Sequence, residues 1–237
     1  MPVTPAHDTR WWTMLTRCSI LFALLIAAFP PLAIAQPAAP PQDTEVPPPL
    51  THYMGREIAQ TMHWLGAEWL IREGWTDRAH LGIFGGSNGG LLTGAALVER
   101  PELFRAVVSA VPLLDMLRYQ HFLMARYWVP EYGSSEDRDQ LGFLLRYSPY
   151  QHVVDGVHYP AVFLTAAEND ARVHPLHARK MTARLQAATA SDPAQRPVLL
   201  WVERDAGHGV GKPLDLRVRD AADLVGFFAW QLGLGAS

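Results

Sequence analysis

Four short apolar runs set the strongest limit on how this chain can fold: His80–Phe84 (HLGIF), Ala106–Val111 (AVVSAV), Ala161–Ala166 (AVFLTA) and Val198–Val202 (VLLWV). Each is nearly continuous in apolar residues rather than alternating, as strands buried on both faces are. Helical patterns separate them: Gly89–Glu99, a mostly helical stretch over Leu113–Tyr147 broken around Pro130–Ser135, His177–Ala188 and Leu216–Leu232. Strands alternating with helices imply crossover connections and a mostly parallel sheet flanked by helices, the α/β class. No internal repeat competes with that reading.

Ahead of the first run the chain changes character. Arg10 and Arg17 precede an apolar run from Cys18 to Phe29, which Pro30 and Pro31 end, and Ala33-Ile34-Ala35 supplies small residues at alternate positions. The run is shorter than the roughly 20 residues of a spanning helix. It reads as a signal peptide over 1–35, cut after Ala35, which predicts an exported protein, periplasmic or extracellular. An uncleaved N-terminal anchor is the alternative. Residues 36–50 form a linker in which six of fifteen residues are proline, a composition that favours an extended chain. From Arg56 a helix is expected, with Ile58, Met62, Leu65 and Trp69 at helical spacing and an end near Gly74. Cys18 is the single cysteine, so a disulfide framework and a cysteine metal site are excluded downstream. A net charge of −3 gives no electrostatic footprint for nucleic acid.

The chemistry is concentrated after the first run. Phe84-Gly85-Gly86-Ser87-Asn88-Gly89-Gly90 lies between a strand and a helix and contains G-x-S-x-G. In a nucleophile elbow a tight turn lifts the serine hydroxyl clear of the sheet, and glycines on either side are expected where backbones pass too close for a Cβ. The helix behind Ser87 directs N–H groups toward developing negative charge, making the Asn88 N–H the natural oxyanion donor. An ordinary glycine turn or a phosphate loop is the competing reading, but the segment fits neither G-x-G-x-x-G nor a P-loop ending. An elbow requires an acid and then a histidine, each after a later strand. Asp170 follows the third run and His208 the fourth. Taken alone, Asp170 also suits a helix N-cap and His208 a loop. His174 and His177 are three apart, yet Pro175 lies between them and no third ligand is close in sequence, so no metal or other cofactor is expected.

These segments resemble the prolyl oligopeptidase family, serine peptidases with an α/β-hydrolase catalytic domain. The likeness runs from about Trp69 to Leu234 and is carried by GGSNGGLL, RPELFRAVVSAVPLLDML, YGSSED, RYSPYQHV, NDARVHPLHARKM and AGHGVGKP, in family order. It implies Ser87 as nucleophile, Asp170 as acid and His208 as base in acyl transfer from short peptides, cleaved after proline. It implies that Arg172 holds a substrate carbonyl, with an ion pair to Glu168 as the alternative. It also implies that Trp128 stacks on the proline ring while Tyr132, Val173 and Leu113 line the same pocket; ordinary core packing is the alternative for all four.

The resemblance also has gaps. The family's β-propeller and the sheet strands before the elbow have no counterpart, and with them go a tyrosine oxyanion donor and an aromatic of the proline pocket. One such donor is worth about 10²–10³ in turnover. The expectation is therefore a truncated α/β-hydrolase over 51–237, with the elbow strand at a sheet edge unless the Arg56–Glu73 helix or a second chain covers it. The opening of 51–73 resembles exported bacterial proteins with a methyltransferase-like domain, which would imply a gene fusion or truncation that joined a borrowed export leader to a peptidase remnant. Three activities fit: an exported serine peptidase, a catalytically impaired remnant of one, and a small esterase.

Overall fold

The computed structural model describes residues 64–209 and 211–234. The expected signal peptide, the proline-rich linker and the start of the Arg56 helix lie outside the described residues.

The four apolar runs form one parallel sheet in the order β1-β2-β3-β4. The strands are β1 (Gly82–Gly86), β2 (Ala106–Ala110), β3 (Ala161–Ala167) and β4 (Val198–Glu203). Helical backbone over 64–72 forms α1. The crossovers carry α2 (Asn88–Glu99), α3 (Arg138–Tyr147) and α4 (Leu176–Ala188), and α5 (Leu214–Gln231) closes the chain. β1 begins two residues later than its apolar pattern suggests because Asp77 organises the preceding turn. Its Oδ1 accepts from the N–H groups of Ala79 and His80 at 2.8 and 3.0 Å.

The stretch expected to be helical from Leu113 is not. Regular α3 starts only at Arg138, where Asp137 caps it by accepting from the Asp139 and Gln140 amides. Upstream lie short turns at Tyr119–His121 and Ala125–Trp128 and a single helical turn, Val129–Tyr132. Pro130 falls in the first turn of that segment, where its missing N–H costs nothing, so it does not interrupt a helix. The Leu114 and Asp115 amides donate instead to His177 Nδ1, and the Met116 amide to Ser148 Oγ. With its donors committed to distant side chains, this backbone has no reason to coil.

The two sheet faces are covered unequally. Ile83, Val107, Val162 and Leu164 face a core completed by Ala67 of α1, Leu97 of α2 and Met181 and Leu185 of α4. On the other face Val108 and Phe163 pack under Phe227 and Phe228 of α5. There α5 is the covering helix among the described residues, and the outer positions Phe84, Leu199 and Trp201 stay 38, 38 and 40% exposed. β1 pairs on one side only, with β2, so the elbow strand is an edge of the described sheet.

Candidate active site

β1 runs directly into Ser87, whose φ is 56°. That is the left-handed region, uncommon for a residue with a Cβ, and the surroundings hold it there. The Ser87 N–H donates to the Ala110 carbonyl at 2.8 Å, and its own carbonyl accepts from Gly90 and Leu91 at the head of α2. A Cβ on Gly85 would fall onto the carbonyl of Gly89 and lie 2.9 Å from Thr93 Cγ2, whereas one on Gly89 would meet open space. Close backbone approach thus demands glycine on the strand side of the serine, and the sequence expectation is corrected for Gly89.

His208 and Asp170 arrive from the carboxyl ends of neighbouring strands. Ser87 Oγ lies 2.8 Å from His208 Nε2, and His208 Nδ1 lies 2.6 Å from Asp170 Oδ2. An ionised carboxylate only accepts, so Nδ1 carries the proton and Nε2 accepts from the serine hydroxyl. Asp170 is buried, and its Oδ1 accepts from the Arg172 and Val173 amides, both at 2.8 Å. Asp170 is not a helix N-cap, since the next helix starts at Leu176 behind Pro175: one oxygen fixes the loop and the other faces the imidazole. This line can move a proton off the serine and place the resulting charge beside a fixed anion.

The expected pocket residues share one cluster. Leu113, Tyr132 and Val173 are buried together with Leu91 and Met116, and Trp128 packs against them half-buried. Tyr132 also donates from its hydroxyl to Asn88 Oδ1 at 2.8 Å. That bond ties this cluster to the residue after the serine, and sequence spacing gives no sign of it. Arg172 is exposed, while Glu168, considered as its partner, pairs with Arg179.

A second buried constellation also escaped sequence reasoning. Asp115 is fully buried and accepts from Lys180, from Arg118 at 3.1 Å and from Gln151 at 2.8 Å. Burial alone would raise its pKa, but the hydrogen bonds from Lys180 and Gln151 outweigh that and hold it below the usual range. Beside it, burial pushes His177 down to about 4, so the ring is neutral and accepts two backbone amides. His174 Nδ1 accepts the Leu176 amide at 3.0 Å. His174 thus holds the start of α4, while His177 ties that helix to the segment after β2.

The sequence pattern of the prolyl oligopeptidase family matches residues 54–235. The chain belongs to the prolyl oligopeptidase family. Its pattern reaches back to residue 54 and so claims most of the segment whose opening resembled methyltransferase-bearing proteins. Prolyl endopeptidase of Dictyostelium discoideum is 40% identical over 164 residues, covering 69% of this chain and 21% of that protein. A solved prolyl endopeptidase is 44% identical with a TM-score of 0.68, covering 71% of this chain and 24% of that one. A post-proline cleaving enzyme from Rickettsia typhi is 37% identical with a TM-score of 0.67, covering 76% and 25%. The chain thus spans between a fifth and a quarter of these relatives, and the part it shares is their α/β-hydrolase catalytic domain.

Proposed function

We propose that this chain is a serine peptidase that cleaves short peptides after proline through an acyl-enzyme. The observation that carries the reading is the unbroken hydrogen-bonded line from Asp170 through His208 to Ser87. His208 Nε2 takes the hydroxyl proton as Ser87 Oγ attacks the carbonyl carbon. The Asn88 N–H, at the head of α2, donates to the oxyanion. When the tetrahedral adduct collapses, the imidazolium returns that proton to the leaving amine, and water then hydrolyses the ester by the same steps. The post-proline preference rests on the family and on the gathering of Trp128, Tyr132, Val173 and Leu113 in one cluster. A flat aromatic face suits a flat apolar ring. In this reading Arg172 anchors a substrate carbonyl, and the protein is exported by its N-terminal segment.

The test is labelling with a fluorophosphonate, which reacts only with an activated serine. Wild type should label and Ser87→Ala should not. Proline-containing peptides compared with simple esters then separate a peptidase from an esterase. A well-folded wild type that never labels would mean an impaired remnant and would defeat the proposal.

A further inference from the structure

Behind His208, between the sheet and α5, lies a cavity of about 320 Å³. This is within the size range of small-molecule sites. Phe84, Phe163, Trp201 and Leu224 supply apolar walls, and Glu203 and His208 stand at the carboxyl-terminal end. Glu203 is only 6% exposed. Its Oε1 accepts from the Arg204 and Asp205 amides, but its Oε2 is buried with no hydrogen-bond partner. A buried carboxylate oxygen without a donor is costly and marks a place for one.

Charge decides what kind of donor. Lys212 is the lysine or arginine among the described lining residues, and it is already paired with Asp220. Asp223 adds a further acid to the wall. The cavity therefore offers apolar surface under unbalanced negative charge. A second copy of this chain docking about a two-fold axis would oppose these acids with themselves, which disfavours it. We propose that this cavity binds a small organic cation: an ammonium on an apolar body, with its head at the Glu203 carboxylate, which turns Oε2 toward it, and its body between Phe84, Phe163, Trp201 and Leu224. An occupant so placed shares a wall with His208. Its positive charge opposes formation of the imidazolium, so filling the cavity slows acylation of Ser87. That consequence rests on the proposed function, whereas the binding does not.

Calorimetric titration of the whole protein with 2-phenylethylammonium, and separately with the neutral isostere 2-phenylethanol, reads the site directly. The ammonium should bind at least about tenfold more tightly than the alcohol, as a hydrogen bond to a charged group requires. Glu203→Gln keeps an acceptor for the two amides and should remove that preference. Leu224→Trp fills the cavity and should abolish binding of both compounds. Equal affinity for ammonium and alcohol in wild type overturns the proposal, whatever the variants do. So does absence of binding at saturating amine, as when another part of the chain or a second copy fills the space. Fluorophosphonate labelling that slows as the amine binds supports the link to His208. Amine binding to a protein that never labels leaves the cavity assigned and removes the catalytic reading.

Discussion

Asp170 divides its two oxygens between different tasks, and that division makes Asp170→Asn informative. The Arg172 and Val173 amides need an acceptor, so the asparagine oxygen should stay with them. Its NH₂ then points at His208 Nδ1, which must accept, moving the ring proton to Nε2. A ring protonated there cannot take the serine proton. Turnover should fall by about 10³–10⁴ with melting temperature little changed, measured by kcat and thermal unfolding. At the elbow the two glycines should behave differently. Gly85→Ala drives a Cβ into the Gly89 backbone and should abolish labelling. Gly89→Ala has space and should stabilise α2 by up to about 1 kcal/mol, read from urea midpoints. Strand-end position and order sufficed to single out Ser87, Asp170 and His208, which the fold brings within hydrogen-bond reach of one another. The Tyr132–Asn88 bond was not legible, because its partners are far apart in sequence and meet only through packing.

At the scale of elements, the strands were legible to within two residues because burial on both faces leaves a continuous apolar run. The segment after Pro112 was misread for the converse reason. Its amides are satisfied by His177 and Ser148, residues that local periodicity cannot see. This joint between β2 and α4 gives a pH prediction. His177 has a folded pKa of about 4 against an ordinary 6.5, chiefly through burial; Asp115 pulls it up, and Lys180 and His174 push it down. Because the folded pKa is depressed, the unfolded chain binds the proton first as pH falls. The stability from keeping this ring neutral is complete above about pH 6.5 and is lost progressively down to about 4, amounting to about 3 kcal/mol. Urea midpoints across that window should drop in wild type. In His177→Gln, where the side-chain carbonyl can still accept, the drop should be much shallower even though the variant starts less stable.

For the molecule as a whole, unequal coverage of the sheet governs behaviour in solution. One face is closed by α1, α2 and α4, but the other leaves Phe84, Leu199 and Trp201 more than a third exposed, and β1 lacks a strand on its outer side among the described residues. Exposed apolar surface next to an open edge is a template for association. We propose that a second copy of this chain covers the β1 edge. Such pairing would satisfy the outward backbone groups of β1. Light scattering over a range of concentrations should show mass rising with concentration at low salt and persisting at high salt, because apolar burial and backbone hydrogen bonds are not screened as charges are. Leu199→Lys separates the two sources of association. It places a charge on the exposed face of β4, away from the β1 edge, and should suppress association through the face while leaving edge pairing intact. A drop to monomer would assign the contact to the face. Persistence would assign it to an open sheet edge, β1 or β4. A protein monomeric from the outset would show that neither surface is available, and the second-chain proposal would fall.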